Sequence, residues 1–292
     1  MIESSTYLHY INIAMEIVSA IKPYSSKYSK KTFTRQQLFI LLILKQKLKL
    51  SYEALIDDMK TRSEILIMLG LHALPNSTTL IKFAKRISCS MMQEIIGSCI
   101  NLTRRKKTDV GVDATGYHLE DGSYHYRKRL GNQAKVRKNL KLSIAADTKK
   151  QLILAVRIRK SKAHDTRDFL PLIKESSKIK PIIIVSADKA YDSEENYKFV
   201  YKNLKAKVAI PQRDYGKKRI PRNNRKYRNK GKREFNEKEY HQRSKVETIN
   251  FVMKRLFGGV VYAKKWIMQK KELLFKCLAY NIHRLVKLRI SV

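Results

Sequence analysis

Apolar positions repeat with a helical period from Ile11 to about Leu102, and no stretch within that span alternates as a strand does. Thr34 stands as a cap before Arg-Gln-Gln-Leu-Phe-Ile-Leu-Leu-Ile-Leu, a run that continues as a largely buried helix. Ser51 opens another, with Ala54, Leu55 and Met59 on its apolar side. A turn at Leu74-Pro-Asn-Ser leads into a helix capped by Asn76 or Ser77 and carrying Lys82, Lys85 and Arg86. Beyond the basic joint Arg104-Arg-Lys-Lys-Thr the texture changes. Asp109–His118, Leu140–Asp147 and Gln151–Ile158 predict three strands, the first followed by the turn signal Glu120-Asp-Gly-Ser. Asp165–Ser177 predicts a helix with Phe169, Leu170, Leu172 and Ile173 buried. The continuous apolar run after Pro181, ending at Asp188, predicts a strand buried on both faces. A helix over Ser193–Leu204 and a short strand over Ala206–Pro211 follow.

Three strands and then helix–strand alternation imply a mixed sheet with helices on its faces. The order fits a ribonuclease-H-like α/β layout preceded by an all-α region, dividing the chain into domains 1–103 and 104–292, the second with a basic loop at 214–236. Periodicity alone suits the helical region equally to a helix-turn-helix-like DNA reader and to a plain bundle.

Glu237–Arg255 reads as one amphipathic helix. Tyr240, Arg243, Glu247 and Lys254 fall within about 60° of one another at 100° per residue, and Val246, Ile249, Val252, Met253 and Leu256 take the other side. The polar face thus offers one carboxylate among two cations and a phenol.

Charge narrows the partners. Sixty-three Lys and Arg against 25 Asp and Glu give +38, a self-repulsion that a polyanion would relieve, and this decides for DNA contact by the helical region. The longest apolar run, Leu38–Leu44, is far short of the ~20 residues that span a bilayer, so no membrane is expected. Met-Ile-Glu-Ser-Ser at the N-terminus does not read as a secretory signal, so the expected location is the cytoplasm, in association with the nucleoid. Cys89, Cys99 and Cys277 lack metal-ligand spacing and read as buried free thiols. Any metal would therefore use carboxylates. Asp113 lies in the first predicted strand and Asp188 ends the buried one, the edge where open α/β sheets form sites. With Glu247 they make three acids that could converge. Such a cluster needs divalent cations, and hard oxygen donors select Mg²⁺ or Mn²⁺. By spacing alone Asp192 rivals Asp188, while Asp109, at the start of its strand, lies too far from the edge to rival Asp113.

These residues resemble insertion-sequence transposases of the DDE class, the cut-and-paste group marked by Y-x2-R-x3-E-x6-K, which stands here as Tyr240, Arg243, Glu247 and Lys254. Val112-Asp-Ala-Thr, Ser186-Ala-Asp-Lys-Ala-Tyr-Asp-Ser and His164-Asp165 are similar to further landmarks of that family, over roughly residues 104–290. Ala190 departs from the family's usual Gly, and a short basic loop stands where some relatives carry a large β insertion. The resemblance selects Asp188 over Asp192, which then reads as a helix cap. It implies a helical region that binds transposon ends in double-stranded DNA, a homodimer on DNA, and Mg-dependent cleavage and transfer into target DNA. Asp113, Asp188 and Glu247 would hold two ions ~4 Å apart, with Asp113 bridging. A catalytically inactive DNA-binding relative and a ribonuclease-H-like nuclease or resolvase are the rival expectations.

Tyr240, Arg243 and Lys254 would contact phosphates beside the scissile bond. Residues 217–233 carry ten cations in seventeen positions and no acid. Lys217, Lys218, Arg219, Arg222, Arg225, Lys226 and Arg228 are expected to clamp DNA from a segment disordered without it. Arg127–Lys138, with six cations, would add a second contact, and Trp266 reads as core rather than as a stacking wedge.

Overall fold

The computed structural model describes residues 6–120, 139–160, 166–213 and 225–290. It divides into two compact units: 1–99 with 253–258 and 263–292, and 100–252 with 259–262.

The first unit opens with helices α1 (Thr6–Val18), α2 (Arg35–Leu48), α3 (Tyr52–Lys60), α4 (Ser63–Met68), α5 (Ser77–Arg86) and α6 (Cys89–Ser98). The caps fall where the sequence places them. Thr34 and Gln37 close a reciprocal box on α2, Ser51 accepts from the Ala54 N–H on α3, and Asn76, not Ser77, caps α5. Every residue from Leu38 to Leu44 is buried, as a helix apolar on all sides must be.

The second unit is built on a sheet. Strands β1 (Thr108–Leu119), β2 (Asn139–Asp147) and β3 (Leu152–Arg159) form an antiparallel meander. Helix α7 (Thr166–Ile179) packs on β3 and β2, and strand β4 (Ile182–Ala187) returns parallel to β1. After α8 (Glu194–Phe199), strand β5 (Lys207–Ala209) pairs parallel with β4. The order is β3-β2-β1-β4-β5, and the mixed ribonuclease-H-like sheet expected from the sequence is the one observed. β4 departs in one respect, since Ile183 is 39% exposed and the strand is therefore not covered on both faces along its length.

Helix α9 (Lys226–Arg233) packs on α8, and α10 (Glu237–His241) lies on β4 and β5. Helix α11 (Ser244–Phe257) and a two-residue strand β6 (Val260–Val261), paired with the end of β1, follow. Two expectations are corrected here. The helix predicted over Glu237–Arg255 is broken at Gln242–Arg243, where the Arg243 N–H bonds back to the Tyr240 carbonyl and the axis restarts. Residues 226–233 of the basic segment, expected to be disordered, are helical, because Gly231 lets α9 lie against the Tyr197 ring, 2.3 Å from where a Cβ would stand.

The last helix, α12 (Trp266–Ile290), belongs to the helical unit and not to a continuous 104–292 domain. Fourteen of its 25 residues are buried, among them Leu273, Leu274, Phe275, Leu278 and Ile282, and it packs on α1, α2 and α6. Its polar side chains complete other helices. Lys271 donates to the Ala84 and Lys85 carbonyls at the end of α5, and Asn281 to the Ile96 carbonyl. Trp266 is half-buried at its start, with Lys270 Nζ 4.8 Å from the ring. Cys99 and Cys277 are buried thiols, as expected, whereas Cys89 is half-exposed.

Candidate active site

Parallel pairing of β1 with β4 aligns Val112 with Ala187, so Asp113 and Asp188 each stand one step further along neighbouring strands. Such strands lie about 4.8 Å apart. β4 ends at that point, and Asp188 turns the chain into a short 3-10 segment, its carboxylate accepting the Lys189 N–H at 2.6 Å.

Glu247 arrives in the first turn of α11. What seats this helix is Gly111, where an added Cβ would meet Val246 Cγ2 at 2.4 Å, closer than any side chain permits. The contact sets the start of α11 against β1, two residues before Asp113. Arg243 then joins two acids, with Nη1 2.7 Å from Glu247 Oε1 and 4.0 Å from Asp113 Oδ1. Asn250 Nδ2 donates to Asp113 Oδ2 at 2.9 Å.

Burial pushes the Asp113 carboxyl above its ordinary pKa; the Ala114 N–H, Asn250 and Arg243 pull it back, and Glu247 adds to the rise. For Arg243, burial works against the charge but Glu247 and Tyr240 outweigh it, so its pKa is raised. Its guanidinium carbon lies 5.6 Å from the Tyr240 ring centre. A desolvated carboxylate sharing one guanidinium with a second carboxylate is short of positive charge, and an all-oxygen donor set of this kind suits a hard divalent cation. Among the described residues, no three acidic, histidine or cysteine side chains are gathered closely enough to hold an ion. Arg243 is the cation between Asp113 and Glu247.

A family model described as "Transposase DDE domain" matches residues 104–282, more than half of the chain. The chain belongs to that family. The protein is a transposase, of a class that works on DNA with divalent metal ions. A solved structure similar to it is the cryo-EM piggyBac transposase synaptic complex with hairpin DNA, at TM-score 0.49 and 12% identity, covering 99% of this chain and 73% of that one. Among curated proteins, none matches.

Asp192, the rival second acid of this transposase, is committed elsewhere. It is buried, takes Arg228 Nε and Nη2 at 2.8 Å each, and accepts the Arg213 N–H at 2.8 Å. It is not the cap of α8 either, since Ser193 accepts from the Asn196 N–H there. Asp109 stands at the opposite end of β1, paired with Lys149 at 2.9 Å.

Arg228 is the corresponding correction among the expected phosphate contacts. Its guanidinium is turned onto Asp192 and the Arg213 carbonyl, because two acids organise the start of α9: Glu194 accepts the backbone N–H groups of Tyr227 and Arg228 at 2.8 and 2.7 Å. Arg225 is half-buried and Lys226 exposed at the same helix end. Lys254 lies seven residues beyond Glu247 on α11 and is half-buried. Lys217, Lys218, Arg219, Arg222, His164, Asp165 and Arg127–Lys138 lie outside the described residues.

The residue that sequence reasoning missed is Asn250. The buried stripe of α11 runs Val246, Ile249, Asn250, Met253 and Phe257, whereas the expected Val252 and Leu256 are half-buried. The available signal was an amide among apolar positions, one turn after Glu247.

Proposed function

We propose that this transposase binds the terminal inverted repeats of its own insertion sequence as a homodimer, cleaves there, and joins the cut end to target DNA. The observation that carries the reading is that Asp113 and Asp188 each follow directly on the paired Val112 and Ala187, with Glu247 tied to Asp113 through Arg243. These three carboxylates would hold two Mg²⁺ or Mn²⁺ ions. Bound there, the ions would supply an activated attacking oxygen and a stabilised leaving oxygen for in-line displacement at phosphorus.

The chain's own groups do the rest. Asp113, on a central strand and desolvated, is the acid best placed between the other two. Arg243 exchanges a carboxylate partner for a backbone phosphate when DNA enters, while Tyr240 offers a phenol hydrogen bond to the same strand. Lys254 adds a second phosphate contact further along α11, and Arg225 and Lys226 extend the basic surface. The helical region, with Lys82, Lys85 and Arg86 on α5, supplies the hold on the transposon end.

The test is cleavage and joining of a duplex carrying the element's ends in Mg²⁺. Asp113→Ala, Asp188→Ala and Glu247→Ala should each shift the end duplex in a gel like the parent chain. Each should cleave at least about a thousand-fold more slowly, since such ions are worth several kcal/mol. Full cleavage by one variant removes that residue from the centre. End binding without cleavage by the parent chain points to an inactive DNA-binding relative, and cleavage without joining to a nuclease or resolvase.

A further inference from the structure

Asn250 is an unusual choice for its position. It is 6% exposed, on the stripe of α11 where Val246 and Ile249 are fully buried. Asparagine weakens a helix interior, and a buried amide must find partners for both ends. Here one end is satisfied and the other is not: Nδ2 donates to Asp113, while Oδ1 is buried and, among the described residues, has no hydrogen-bond partner. The assignment of the two ends is forced by the neighbour, since an ionised carboxylate accepts and cannot donate.

Holding α11 on the sheet does not require this amide. Val246 already closes against Gly111, with no room for a Cβ between them, and Ile249 is buried beside it. A leucine would fill the same space without an orphaned carbonyl. What the amide does, and leucine could not, is fix one oxygen of Asp113. The contact at 2.9 Å comes from a rigid helical turn, whereas the Arg243 guanidinium stands at 4.0 Å from that carboxylate and is shared with Glu247.

We infer that Asn250 is a positioning residue of the carboxylate centre, holding Asp113 in the one orientation in which its remaining lone pairs are offered to divalent cations. This rests on the proposed metal role of Asp113. A side chain that orients a ligand in this way pre-forms the site, so its loss lowers ion affinity while leaving the ligands in place. When Arg243 moves to a phosphate, Asn250 keeps Asp113 from turning after it.

The experiment uses the full chain with Mn²⁺ as probe, free Mn²⁺ being read by electron paramagnetic resonance. Asn250→Leu and Asn250→Ala should keep the helical circular dichroism and the end-duplex gel shift of the parent chain. Both should bind Mn²⁺ about 10- to 100-fold more weakly, as loss of such orienting partners does elsewhere. Cleavage by both should recover as Mg²⁺ is raised by the same factor, a rescue that a packing defect would not show. Either variant, folded and binding Mn²⁺ like the parent chain, overturns the inference, as does a loss of cleavage that Mg²⁺ cannot restore. Asp113→Ala separates this from failure of the metal reading. If the parent chain and Asp113→Ala bind Mn²⁺ alike, the metal role itself is wrong. If binding depends on Asp113 but not on Asn250, this inference alone falls.

Discussion

Asp188 and Asp192 are four residues apart, carry the same chemistry and follow the same strand, yet their surroundings differ in kind. Asp188 is half-buried and bonded to its neighbour's N–H, whereas Asp192 has a fully buried carboxylate and a bidentate guanidinium. Removing one partner of a buried ion pair leaves the other charge without compensation, at about 3–5 kcal/mol. Asp192→Ala should therefore lower the melting temperature of the chain sharply, and Asp188→Ala should leave it nearly unchanged while cleavage is lost. Thermal denaturation of the two variants side by side checks this, and similar melting curves would contradict the separation of roles. No spacing rule could have made the distinction, because Arg228 approaches Asp192 from 36 residues away.

For elements, the decisive contact is between the start of α11 and β1. Gly111→Ala must push Val246 aside, and Val246 is β-branched and fully buried, so about 1–3 kcal/mol of destabilisation is expected. Because the same helix carries Glu247 next to Val246 and Asn250 one turn on, the variant should also lose cleavage at temperatures where it remains folded, which an assay well below its melting point would show. A second element-level effect belongs to α12. Burial, then Lys47, Lys287 and Arg284, hold the His283 pKa down at about 4 against the usual 6.5. The unfolded chain binds a proton near pH 6.5 that the folded one resists, so unfolding takes up a proton in between. Stability is complete above pH 6.5 and falls as pH drops toward 4. Urea melts at pH 7 and pH 5 should show that loss in the parent chain and a smaller one in His283→Gln.

For the whole molecule, the charge of +38 is the excess of Lys and Arg that remains after all 25 acids are counted. Each neutralised phosphate should contribute about 0.9 to the slope of log K against log salt. Replacing Lys217, Lys218, Arg219 and Arg222 with Ala should flatten that slope by up to about 3.6. Arg228→Ala should act through folding instead, through the loss of its Asp192 pair. Binding isotherms across a salt series test both, and an unchanged slope for the fourfold variant would remove residues 217–222 from the interface.

The sheet was legible because strand and helix periods differ, and because caps such as Thr34 and Ser51 act within a few residues. As candidates, Arg243 and Glu247 were legible because motif spacing survives without knowledge of the fold, and Asp113 because it lies within a strand the sequence pattern predicts. Tertiary structure decided what depends on partners distant in sequence. The inward turn of Arg228, the membership of α12 in the helical unit and the hydrogen bond from Asn250 to Asp113 all have causes outside their own local pattern. Asn250 shows the physical reason most directly. In the chain it is a weak helix former among apolar neighbours, and its amide acquires a purpose when the pairing of β1 with β4 and the seat at Gly111 bring a carboxylate 137 residues away to within 2.9 Å.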